Sequence, residues 1–149
     1  MALLLPNPPQ TINGGLKIFF PEQQPSAGLK GIGVDIAPIA KMVKWIERYD
    51  RETLNLIFTP SEIERCQAHP HPPQAFAVCF ATKEAVGKAL STGLVGIDWH
   101  EIEANLSSHQ LTICLHGKAI AIAEQKQIQQ WLASWCHWEE RVLVWVVAQ

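Results

Sequence analysis

The segment from Gln74 to Leu90 limits the fold more than any other stretch of this chain. Phe76, Ala77, Val78, Phe80, Ala81, Ala85, Val86, Ala89 and Leu90 fall on nearly every side of a helix at ~100° per residue. A helix that is apolar all round is a buried helix, so the rest of the chain must wrap it. Three charges interrupt it: Lys83, Glu84 and Lys88. Buried charges are costly unless paired or bound to something. Glu84 and Lys88 are one turn apart and share a face. Gly87 lies between them at a cost of roughly 1 kcal/mol against alanine. Its missing side chain would let a ligand approach the backbone there.

The flanking patterns say what does the wrapping. Gly31-Ile32-Gly33-Val34-Asp35-Ile36 reads as a short buried strand that permits close backbone approach and ends on a carboxylate. Pro38 suits the first turn of a following helix. In that helix Ile39, Met42, Val43 and Ile46 form the apolar face, and Lys41, Lys44, Arg48 and Arg51 a basic stripe opposite. Thr59-Pro60-Ser61-Glu62 is a helix-start signal, and Pro70, Pro72 and Pro73 read as the loop that closes that helix.

Beyond a Ser91-Thr92-Gly93 turn the period changes to two. Ile102 and Ala104 alternate with Glu101 and Glu103 within a strand over 98–106; Leu111, Ile113 and Leu115 alternate with Thr112, Cys114 and His116. A Gln- and Ala-rich helix is expected from Gly117 to about Gln130. Residues 132–137 and 141–148 read as a hairpin around Trp138-Glu139-Glu140. The run from Val142 to Val147 is apolar on both faces, which predicts a central strand. Helices followed by antiparallel strands argue for an α+β domain, an antiparallel sheet packed against the long buried helix.

A chain of 149 residues has room for one domain, which we place at 30–149. Residues 1–29 hold five of the ten prolines and read as an extended arm, with a mobile start and a short strand at Leu16–Phe20. The net charge of −2 provides no global basic field for nucleic acid. No stretch is apolar enough to predict a membrane helix, and the apolar start is too short for a signal peptide. The cysteines, Cys66, Cys79, Cys114 and Cys136, show no zinc spacing and read as reduced thiols of a cytoplasmic protein.

Two carboxylates in apolar settings then stand out, Asp35 and Glu84. Mg²⁺ takes one or two protein carboxylates, keeps some waters and fills its octahedron with phosphate oxygens. With Lys83 and Lys88 nearby, the pair suits a magnesium–diphosphate site. On spacing alone a helix cap and a solvated ion pair explain the same residues better.

GIGVDI at 31–36, FATKEAVGKALSTG at 80–93 and GIDWHEIEAN at 96–105 resemble the 4′-phosphopantetheinyl transferases, closest to the single-domain holo-acyl-carrier-protein synthase type. The family pattern G-[IV]-G-x-D-[IL], then F-x-x-K-E-A-x-x-K-A, a T-G turn and an I-E strand appears in order, and the resemblance covers about 30–148. It implies transfer of the phosphopantetheine arm of coenzyme A to a serine of an apo carrier protein, with adenosine 3′,5′-bisphosphate released. It implies Mg²⁺ held by Asp35 and Glu84, and coenzyme A held by Lys83, Lys88, Gly93 and His137. Glu84, Lys88 and Asp35 become the catalytic residues, with Glu84 or a metal-bound water as the base.

The resemblance further implies an acidic acyl carrier protein as partner, docked by the basic first helix through Lys41, Lys44 and Arg48. It implies a homotrimer with sites between subunits; Trp131, Trp135 and Trp138 could contribute aromatic surface to such an interface. The chain departs from the pattern twice. Cys79 stands where an Arg often helps to hold a nucleotide phosphate, and Cys136 replaces the second Ser of S-x-S-H. Losing an Arg–phosphate contact weakens coenzyme A binding unless another cation substitutes. That leaves a non-catalytic carrier-binding homologue as the alternative, and a nucleotide-diphosphate hydrolase as a third reading.

Overall fold

The structure, a computed structural model, describes residues 10–12, 16–18, 28–108 and 110–149. Most of the expected arm, and its mobile start, lies outside the described residues. Within it, Gln10–Ile12 (β1) pairs antiparallel with Leu16–Ile18 (β2).

The buried helix is α4, Pro72–Ala89. All its residues from Ala75 to Gly87 are buried except Glu84, which is half-buried, and Lys88 is exposed on its last turn. It starts earlier than expected. Pro72 and Pro73 do not close the preceding loop; they form the first turn of α4, where a missing N–H costs nothing and the fixed φ is already helical.

Strands β3 (Gly31–Pro38), β7 (Arg141–Ala148) and β6 (Trp131–Trp138) form an antiparallel sheet in the order β3-β7-β6. The doubly apolar β7 is indeed central, and Val142, Val144, Val146 and Ala148 point from it into the core. The β6–β7 hairpin turns through Glu139, which adopts φ 51°. Sheet and helix meet because β3 and β7 both lie against α4. On the other sides of α4 pack α1 (Ile39–Arg48), α3 (Pro60–Ala68) and β4 (Ile102–Leu106), the last paired with β5 (Leu111–Leu115). The short helix α2 (Arg51–Leu54) and α5 (Gly117–Gln125) complete the chain.

Several expectations are corrected. β3 is not buried on both faces and does not end on Asp35; it runs on to Pro38, which caps α1 in extended conformation instead of entering it. As an edge strand it turns Gly33, Asp35 and Ala37 toward α4 and leaves Ile32, Val34 and Ile36 45–56% exposed on the other face. Residues Trp99–Glu101 form a 3-10 turn, not strand, because Asp98 and Glu101 close a capping box. α5 stops at Gln125, short of Gln130. α3 begins as read, with Thr59 and Glu62 in a complete capping box.

Candidate active site

Two glycines bring the site together. A Cβ at Gly31 would overlap the carbonyl oxygen of Ala89, and one at Gly33 that of Ala85. Only a strand without side chains at both positions lies this close to α4. The approach sets Asp35, two residues along on the same face, beside the polar side of the helix. Lys88 Nζ donates to Asp35 Oδ1 at 2.8 Å and to Val34 O at 2.8 Å. Asp35 is 16% exposed and Lys88 51%, so the bridge is anchored in the fold on the acid's side and open to solvent on the lysine's.

Glu84 stands one turn before Lys88. Burial pushes its carboxyl above the usual range, and the negative charge of Asp35 adds to this; Lys88 and Lys41 oppose it. Two carboxylates that feel each other and share cations are a hard-oxygen donor set. Among the described residues no group of three or more His, Cys, Asp or Glu could hold a metal ion. Asp35 and Glu84 are thus at most two protein donors for an ion here, a number within what Mg²⁺ takes from a protein.

Lys83 is placed elsewhere. Its ammonium is fully buried and donates to Glu62 Oε2 at 2.8 Å, to Trp99 O at 3.1 Å and to Ile102 O. All three donors are taken, so the phosphate contact expected of it does not fit this position. Glu62 is equally enclosed, accepting from Thr59 N at 2.8 Å and Ala104 N at 2.7 Å. The sequence reading missed Glu62 as the partner; a lysine in an apolar helix demands a buried acid, and the capping box supplies one.

Gly93, with φ 60°, lies against α4 where Gly87 has no side chain: a Cβ at Gly87 would stand 2.9 Å from Gly93 C. Gly87 thus admits the loop, not a ligand. His137 is exposed near the end of β6 and pairs with Val142, which pairs with Ala37, so two strand spacings, about 10 Å, separate it from β3. It is not brought to Asp35 within one chain. Lys44 and Arg48 are exposed on α1, whereas Lys41 is half-buried with its ammonium 4.1 Å from the Phe80 ring centroid and 4.7 Å from that of Trp45. Trp131 and Trp135 pack against the core, which leaves Trp138 as the exposed member of that cluster.

Cys79 faces inward, its Sγ 3.6 Å from that of Cys66, and this contact together with burial holds its thiol well above the usual range. Cys136 is buried too, and burial raises its thiol. Neither has the depressed pKa of a reactive cysteine.

An acidic pair and a lysine are thus joined by a glycine-permitted strand–helix contact in an α+β frame. The chain belongs to the 4′-phosphopantetheinyl transferase superfamily, whose family model matches residues 31–143. Within that superfamily it is of the holo-acyl-carrier-protein synthase type. It is 38% identical over 111 residues to the holo-[acyl-carrier-protein] synthase of Gloeobacter violaceus, covering 73% of this chain and 84% of that one. The Neisseria meningitidis holo-[acyl-carrier-protein] synthase structure superimposes with TM-score 0.72 at 26% identity, over 82% of this chain and 99% of that one. The Helicobacter pylori enzyme, solved in complex with coenzyme A, gives TM-score 0.67 at 29% identity, over 79% of this chain and 99% of that one.

Proposed function

We propose that this chain moves the 4′-phosphopantetheine arm of coenzyme A onto a serine hydroxyl of an acidic apo acyl carrier protein, releasing adenosine 3′,5′-bisphosphate. The observation that carries the reading is the Asp35–Lys88 bridge beside half-buried Glu84, in a chain of the holo-acyl-carrier-protein synthase type. Coenzyme A in the Helicobacter pylori relative supports it as the donor substrate.

Asp35 and Glu84 would hold Mg²⁺, which supplies charge neutralisation at the diphosphate and its leaving group. Lys88, half exposed, is free at its tip to exchange Asp35 for a phosphate oxygen. Glu84, or a water held beside it, would take the serine proton. Gly93, packed on Gly87 one residue before Lys88, would hold coenzyme A through its backbone. Lys44 and Arg48 would steer the acidic carrier, as exposed charges do. His137 would serve only if a neighbouring copy carried it to the site, which a homotrimer could do. The exposed Ile32, Val34 and Ile36 stripe and Trp138 support a subunit contact. We place the enzyme in the cytoplasm, serving a carrier of the fatty-acid, polyketide or peptide type. No helix among the described residues is long and apolar enough to cross a membrane.

One observation favours the second reading, a non-catalytic carrier-binding homologue. Cys79 and Lys83 are both buried, Lys83 against Glu62, so neither supplies a cation beside Asp35 and Glu84. Mass spectrometry of an apo carrier incubated with the protein, coenzyme A and Mg²⁺ tests the main reading. A gain of one phosphopantetheine mass is expected. An unmodified carrier, together with calorimetry showing no coenzyme A binding at millimolar concentration, would establish the alternative.

A further inference from the structure

The contact between α3 and α4 has two rungs. Glu62 and Cys66 are one turn apart on α3, and Lys83 and Cys79 are one turn apart on α4, so each couple shares a helix face. Glu62 meets Lys83 at 2.8 Å, and Cys66 Sγ stands 3.6 Å from Cys79 Sγ. The buried ion pair fixes the register of the two helices and so holds the thiols opposite each other. A disulfide needs its sulfurs at about 2 Å, a closure that small side-chain rotations can make from here. A crevice of about 190 Å³ lies beside the thiol rung. Arg65 and His69 line it together with Cys66 and Cys79, and both are half-buried, which opens it toward solvent. The terminal nitrogens of Arg65 donate to Ser61 at 3.1 Å and to Glu103 at 2.9 Å. Its Nε–H is out of solvent and has no acceptor among the described residues. A cation with a spare donor thus lines the same space as two opposed thiols.

We propose that Cys66 and Cys79 form an oxidisable dithiol, a redox staple between α3 and α4 that a small peroxide closes through this crevice. The sulfur of Cys66, next to Arg65 in the chain, attacks one peroxide oxygen. The O–O bond breaks, and the departing hydroxide takes the thiol proton and leaves as water. The sulfenic acid so formed is attacked by the sulfur of Cys79; its S–O bond breaks and a second water leaves with the Cys79 proton. Two thiols lose two electrons, and hydrogen peroxide takes them up. The Arg65 guanidinium favours the attacking thiolate, and its Nε–H is a donor for the departing oxygen. Burial and the contact with Cys66 hold the Cys79 thiol above the usual range, so closure is slow and answers sustained peroxide. Lys88 follows Cys79 by nine residues, about 13 Å along α4, so the staple acts on stability and leaves the Asp35–Lys88 bridge in place.

The test exposes the full folded chain to hydrogen peroxide, quenches it, alkylates the remaining thiols under denaturing conditions and maps the peptides by mass spectrometry. The exposed Cys114 is the internal control, since its oxidation shows that the oxidant was active. A peptide pair joined through Cys66 and Cys79, two hydrogens lighter than its reduced parts, is expected, and dithiothreitol should separate it. Closing the loop between them should raise the thermal midpoint by about 5–10 °C over the reduced protein. Cys66→Ala and Cys79→Ala should each melt cooperatively and show neither the link nor the shift. Arg65→Lys keeps the charge but removes the Nε–H, and should slow closure severalfold. An equal rate in that variant would overturn the part given to Arg65. Oxidised Cys114 alongside free Cys66 and Cys79 overturns the proposal, as does added oxygen on either cysteine without the link. A linked protein that melts no higher than the reduced one would overturn the staple.

Discussion

The ammonium of Lys83 lies 2.8 Å from Glu62 Oε2, with both side chains wholly out of solvent. Breaking a buried pair from one side leaves an uncompensated charge, which costs about 3–5 kcal/mol. Lys83→Met should therefore destabilise the protein by that amount in urea unfolding. Adding Glu62→Gln should recover part of the loss. A Lys83→Met protein of normal stability but weakened coenzyme A affinity would return Lys83 to the phosphate role.

Gly33 sets the distance between β3 and α4. A methyl group there meets backbone, the Ala85 carbonyl, which has no rotamer with which to retreat. Gly33→Ala should cost about 1–3 kcal/mol by overpacking, and should lower activity further by lifting Asp35 away from Lys88. Thermal unfolding and transfer assays on one preparation would check both effects. Wild-type values in both assays would show that the strand can shift freely.

Asp35→Asn and Glu84→Gln keep size and hydrogen-bonding shape while removing the two donor charges. Glu84 ionises against burial and against Asp35, so a neutral amide there should not lower stability. Both variants should remain folded and lose carrier modification, read by mass spectrometry. Full activity in both would refute the site.

Glu103 makes the stability of the domain depend on acid. Burial alone would raise its carboxyl, but hydrogen bonds from Ser61, Arg65 and His116 outweigh that and lower it from 4.5 to about 2. A depressed carboxylate stabilises the fold above its unfolded value and loses that contribution as pH falls through the folded one. The contribution, about 3 kcal/mol at most, should be present at pH 5 and largely gone by pH 2. Glu103→Gln should flatten the pH dependence of urea midpoints in that window. An unchanged slope would mean that other acids dominate.

How much of this was legible in the sequence differs by element. The all-round apolarity of α4 predicted its burial, because no arrangement of neighbours hides such a helix except by surrounding it. The doubly apolar β7 predicted its central place for the same reason. The Pro72-Pro73 start of α4 was misread because proline ends one helix and begins another with equal ease. Lys83 was misread because sequence spacing gives angles around a helix and not what each side faces. Five residues put Lys83 and Lys88 about 140° apart, on different sides of α4. One meets Glu62 and the other Asp35.

The amino-acid order by itself determined the buried helix, the strand–helix alphabet around it and the two motifs that carry Asp35, Glu84 and Lys88. It did so because hydrophobic period and glycine placement are local properties of the chain. Only the tertiary structure decided which lysine is core and which is site, that Gly87 receives a loop, and that Lys41 is caged over aromatic rings. Those outcomes depend on which elements pack against each face, and contacts between distant segments are fixed by folding, not by spacing along the chain.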